Sequence, residues 1–143
     1  MKYTAGQKIW HIEINRWSEP QSRWSHRKDG ITIEELEILG VSKYKLVLNN
    51  DWFTTLDNDD REGYKKDHSS YRYIDDISVN IRTSGSILGD GIFITLYSTK
   101  EPTEKILNKM VAKTSNEINK KYGWLFSGVV KELYEMVKTK VDE

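Results

Sequence analysis

The chain has 143 residues, the size of one domain able to bury a core without cross-links. With 22 Lys plus Arg against 22 Asp plus Glu, its formal net charge is zero, so it has neither the basic excess of a non-specific DNA binder nor the acidity of a DNA mimic. Five Trp and eight Tyr exclude a disordered chain, and the lack of Cys excludes disulfides, thiol nucleophiles and Cys-ligated zinc.

Met1-Lys2-Tyr3-Thr4 leads directly into polar sequence, with no apolar stretch of signal-peptide length. No run approaches the roughly 20 apolar residues needed to cross a bilayer. These features predict a soluble, cytoplasmic protein. A single domain over 1–143 is expected, β-rich over 1–98 and helical over 99–143.

The first element is Lys8–Asn15. Trp10, Ile12 and Ile14 alternate with polar residues, the period-two pattern of a half-buried strand, which puts His11 on the opposite face. Continuing by twos places Arg16 on the inner side and Trp17 on the outer one. Ile31, Ile33, Leu36 and Ile38 form a second segment whose alternation slips after Ile33, predicting a bulge or a break at Glu34-Glu35. A turn near Gly40 leads to a hairpin partner at Tyr44–Leu48. Residues 57–70 have turn composition and read as a long exposed loop. Ile77, Val79 and Ile81, then Ile92, Ile94 and Leu96, alternate on either side of the glycine-rich Ser84–Gly91, the clearest hairpin in the chain.

Helical sequence follows. Ser98 with Glu101 has the form of a capping box, with Pro102 tolerated in a first turn. Ile106, Leu107, Met110, Val111 and Ile118 keep helical spacing. Gly123 interrupts the pattern, and Leu125, Phe126, Val129, Val130, Leu133, Met136, Val137 and Val141 resume it. Either a helical hairpin or one long helix kinked near Gly123 and Gly128 fits. A continuous helix would run about 60 Å and overhang the sheet. Its surplus apolar surface, Leu125, Phe126, Val129, Leu133, Met136 and Val137, then predicts a homodimer. The fold class is therefore α+β: an antiparallel sheet or small open barrel of four to five strands, followed by a helical hairpin or a long kinked helix.

The chemistry-bearing candidates are few. His11, His26 and His68 lie apart, with no HExxH or HxH spacing. Asp57-Asn58-Asp59-Asp60 has the alternation of a calcium loop but lacks its glycine and its closing glutamate, which excludes an EF-hand. The simplest reading of that stretch is a solvated acidic turn, and no metal or cofactor is expected. No nucleophile elbow, Walker loop or dinucleotide fingerprint occurs. The glycines of 85–91 join two strands, so no helix N-terminus follows to make a phosphate cradle.

The stretch Arg16–His26 reads RWSEPQSRWSH. Together with Arg27 and Lys28, it offers Arg16, Trp17, Arg23 and Trp24 as stacking and cationic groups. Such residues serve single-strand or nucleotide recognition, and also protein hot spots. They equally serve to cap the open end of a small barrel. Tyr71 and Arg72, in a second stretch of interleaved aromatic and basic residues, would join them if both segments reach one edge of the sheet.

Residues 77–141 have a last strand, Thr95-Leu96-Tyr97-Ser98, then Thr99-Lys100-Glu101-Pro102-Thr103-Glu104 and an amphipathic helical segment. In this architecture the chain resembles small accessory proteins encoded by bacteriophages, and is similar to anti-Thoeris cyclic-nucleotide sponges, with a sheet followed by C-terminal helices that dimerise. The resemblance implies a non-enzymatic binder in the host cytoplasm that blocks a defence or takeover target, holding a host protein or a small nucleotide. Two other functions are compatible with the residues. One is a nucleic-acid-binding module using the Trp/Arg loop. The other is a small metal-dependent hydrolase using Asp57, Asp59 or Asp60.

Overall fold

The computed structural model of the protein describes residues 3–17, 30–42, 45–49, 55–57, 74–82, 91–122 and 127–143. The elements run β1 (Lys8–Trp17), β2 (Gly30–Val41), β3 (Lys45–Leu48), β4 (Thr55–Asp57), β5 (Ser78–Arg82), β6 (Gly91–Ser98), α1 (Glu104–Tyr122) and α2 (Ser127–Val141). The strands form one curled antiparallel sheet in the order β4-β3-β2-β1-β6-β5, the three-residue β4 extending one edge. Two C-terminal helices follow, so the fold is the expected α+β arrangement. Of the two helical arrangements, the hairpin is the one observed: α1 and α2 pack on each other, α1 lies against β5 and β6, and α2 against β2. No helix among the described residues is long and apolar enough to cross a membrane.

Register explains why β1 and β6 are the centre. Ile12 stands opposite Ile33 and Leu96, and Ile14 opposite Ile31 and Ile94, while Val79 faces Ile94 from β5. Residues directly opposite in a sheet share a face. Ile12, Ile14, Ile92, Ile94 and Leu96 are buried under Leu107, Met110, Val111, Ile118, Leu133 and Val137 of the helices.

A second, smaller core lies on the other face. Ile9 of β1 stands opposite Leu36. Both are buried with Ile38, Leu46, Leu48, Ile74 and Tyr97. This corrects the expected bulge or break at Glu34-Glu35. Pairing of β2 with β1 is unbroken from Lys8↔Glu37 to Asn15↔Gly30, and the only irregularity recorded for β2 is toward β3, between Ile38 and Gly40. The slip in alternation after Ile33 marks a change of buried face: Ile31 and Ile33 pack against the helix-side core, Leu36 and Ile38 lie in the opposite one.

The helix start also differs from the expected capping box. The Ser98 hydroxyl accepts a hydrogen bond from Lys100 N (3.0 Å) and donates to Lys100 O (2.8 Å), so it closes the turn after β6. Thr103 caps α1 instead: Ile106 N donates to Thr103 Oγ1 at 3.4 Å, and Leu107 N to Thr103 O at 3.0 Å. Pro102 therefore lies just outside the helix. The cap is positioned by Asp75, which has φ 63°. Its backbone N donates to Tyr97 O at 2.6 Å. Its carboxylate accepts bonds from Thr99 N (3.0 Å) and Thr99 Oγ1 (2.9 Å). One side chain thus fastens the strand β5 approach to the β6–α1 turn.

Two substitutions test this packing by equilibrium urea denaturation. Leu133→Ala, which empties a fully buried position facing the sheet, should cost about 2–5 kcal/mol. Asp75→Ala, which strips two acceptors from Thr99, should cost about 1–3 kcal/mol.

Candidate functional site

Antiparallel register gathers several strand ends at one end of the sheet. Trp17 stands opposite Gly91, Gly91 opposite Arg82, and Asn15 opposite Gly30. The segments 18–29 and 83–90 leave and rejoin the sheet there. Gly30 begins β2 with φ +141°, a backbone conformation open to glycine and strained for other residues.

At this end Arg16 lies opposite Ile92, on the helix-covered face, as the alternation by twos predicts. Its Nε donates to Glu132 Oε2 of α2 at 2.7 Å. The contact bridges the sheet and the last helix. Beside it opens a groove of about 480 Å³, lined on the strand side by Arg16, Gly30 and Ile31 and on the helix side by Glu132, Glu135, Met136, Thr139, Lys140 and Glu143. Helical spacing explains the second set. The pairs 135/136 and 139/140 and the single positions 132 and 143 recur at intervals of three or four residues, so they share one face. Ile31 and Met136, both half-buried, supply the apolar floor.

The charges are arranged in pairs. Arg16 neutralises Glu132, and Lys140 Nζ reaches Glu143 Oε2 at 3.2 Å. Thr139 Oγ1 is turned into the helix, donating to Glu135 O at 3.1 Å. The Glu135 carboxylate has no ion-pair partner among the described residues. The lining therefore carries three carboxylates against two cations, which disfavours an anionic occupant.

The expected site residues divide as follows. Arg16 is in the groove, and Trp17 ends β1 at the adjoining register position. Arg23, Trp24, Arg27 and Lys28 fall outside the described residues, in the segment tied at Trp17 and Gly30. Tyr71 and Arg72 also fall outside them, just before Ile74, which bridges to Tyr97. Along β6 that anchor is six residues from Gly91, about 20 Å at 3.3 Å per residue. The described residues that adjoin the two aromatic-basic segments, Trp17 and Ile74, thus lie at opposite ends of β6. His11, on the face away from the helices, stacks on Tyr97 with ring centroids 4.4 Å apart. Among the described residues no three His, Asp or Glu come together as a metal-binding group. Asp59 and Asp60 lie outside those residues, and Asp57 ends β4.

The residues expected at an oligomer interface are placed differently from one another. Leu133 and Val137 are buried in the chain's own core, and Val129 and Met136, partly buried, pack against it. Leu125 and Phe126 fall outside the described residues. The sequence reading missed Ile31, Glu132, Glu135, Thr139, Lys140 and Glu143 as groove residues. Their signal was present as the polar face of α2, which apolar spacing alone does not select. No known protein family, curated protein or solved structure matches the chain.

The Arg16–Glu132 pair is partly shielded, with side-chain exposures of 25% and 49%. A double-mutant cycle of Arg16→Ala and Glu132→Ala should give a coupling of about 0.2–1 kcal/mol that shrinks toward zero in about 1 M salt.

Proposed function

We propose that the protein acts by binding: it is an accessory protein of the bacteriophage type that blocks a host target by seating part of it in the groove between the β1/β2 strand ends and α2. The observation that carries this reading is the groove itself, about 480 Å³ in size and floored by apolar side chains within a charged rim. That is the composition of a recognition surface. The described residues Trp17 and Gly30, which flank segment 18–29, are the strand ends at this end of the sheet, and Gly30 lines the groove. Two C-terminal helices behind an antiparallel sheet also agree with the architecture that suggested this class.

A protein target is favoured over a nucleotide or a single strand. Phosphates in the groove would meet three carboxylates against two cations, so an anionic ligand would depend on segment 18–29 alone. Thr139 is exposed at the centre of the helix-side wall, and a bulky residue there obstructs the groove without disturbing the core.

Affinity capture from a host lysate followed by mass spectrometry should retain a defined protein on the wild-type chain and lose it on Thr139→Tyr. Calorimetric titration with cyclic nucleotides and single-stranded oligonucleotides should give no heat. Micromolar binding of either, unaffected by Thr139→Tyr, would overturn the reading.

A further inference from the structure

The groove's charge pattern specifies its occupant more narrowly. We infer that it receives a short basic segment of a partner protein, in extended form, whose Lys or Arg pairs with Glu135 while neighbouring apolar side chains lie on Ile31 and Met136. This rests on the reading of the groove as the binding site.

The carboxylates of the groove are unequal. Glu132 is committed to Arg16 at one end, and Glu143 to Lys140 at the other. Glu135 lies between them along α2 without an ion-pair partner among the described residues, and is the group to which an incoming cation adds most. A hard divalent ion needs several oxygen ligands together, whereas the two flanking carboxylates are already engaged. A cationic side chain needs only one. Its aliphatic stem also matches the floor, because Lys and Arg carry apolar methylenes below the charge. Met136 suits such a surface, since an unbranched thioether side chain adapts to several shapes.

Length sets the size of the segment. From Glu132 to Lys140 the helix rises about 12 Å at 1.5 Å per residue, the span of roughly four residues of extended chain. An acidic segment would bring another negative charge to a lining that already has an excess of them. A purely polar basic segment would leave Ile31 and Met136 uncovered.

The test uses three short fluorescent peptides, alternating Lys with Leu, Glu with Leu, and Lys with Ser, titrated against the full chain by fluorescence anisotropy. The Lys/Leu peptide should bind most tightly. Its affinity should fall about tenfold in Glu135→Gln, fall further in Glu135→Lys, and remain unchanged in Glu34→Gln, an exposed carboxylate on the opposite face of the sheet. Equal binding of the Glu/Leu peptide, no binding of the Lys/Leu peptide, or equal losses in Glu135→Gln and Glu34→Gln would overturn the inference. The same variants separate it from the broader reading. If Thr139→Tyr abolishes capture of the host protein while Glu135→Gln does not weaken it, the groove stands and its basic occupant falls. If neither substitution affects capture, both fall.

Discussion

Strand β1 has apolar side chains on both of its faces, and the rest of the structure follows from covering them. Ile12 and Ile14 point one way and Ile9 the other, and all three are fully buried. A strand of this kind cannot sit at an edge or face water on one side. It is placed between β2 and β6, each antiparallel to it. The helical hairpin covers the first face. The second is covered where β2 and β3 bring Leu36, Ile38, Leu46 and Leu48 over Ile9, joined by Ile74 and Tyr97. The register irregularity at Ile38/Gly40 falls where the sheet passes from pairing with β1 to pairing with β3, consistent with a bulge that increases local twist. Burial on the second face is not uniformly favourable. Asn15 is buried there opposite Phe93, and its Oδ1 has no hydrogen-bond partner among the described residues, an arrangement that costs about 1–3 kcal/mol where a buried acceptor stays unpaired.

The groove is a consequence of how the hairpin is laid down. Thr103 and the Asp75–Thr99 contacts set where α1 leaves the β6 end of the sheet. The interval before Ser127 lets the chain reverse, and Leu133 and Val137 then seat α2 on the sheet. With those two residues facing inward, helical periodicity turns Glu132, Glu135, Thr139 and Glu143 toward the flank beside Gly30 and Ile31. The hydrogen bond from Arg16 to Glu132 joins that flank to β1. The groove thus sits where the helix's apolar stripe ends, and all of its lining residues but Glu143 belong to a strand or a helix.

Much of this was legible in the sequence because periodicity reports burial directly. The strands around Ile12/Ile14, Val79/Ile81 and Ile92/Ile94/Leu96 were readable as alternation, and the helices as three-to-four spacing. Arg16 was placed on the helix side by counting in twos from Ile14. The errors arose where one pattern had two physical causes. A phase slip in β2 can come from a bulge or from a change of buried face, and only the position of β3 decides between them. Ser98 and Glu101 have the letters of a capping box, but the hydroxyl of Ser98 is taken by Lys100, which local spacing does not reveal. The groove was harder still. Its helix-side residues are an ordinary polar helix face until Gly30 and Ile31 are brought alongside, and that contact joins parts of the chain about 100 residues apart. Attention to Trp and Arg found Arg16 and overlooked most of the groove's lining.

The pairing of charges within the groove bears on how such a surface works. A rim of unpaired like charges would attract partners from a distance but would be costly to bury. Here the two terminal carboxylates are held by Arg16 and Lys140, so on the proposed reading a docking partner would desolvate pairs that are already formed, with Glu135 the group left with a charge to satisfy. Specificity in the proposed complex would then depend on one position bounded by apolar contact, in the manner of an interface hot spot surrounded by neutral complementarity. The formal neutrality of the whole chain fits the proposed arrangement: long-range attraction would be weak, and selectivity would come from a local match of one cation, two apolar contacts and the length of the groove.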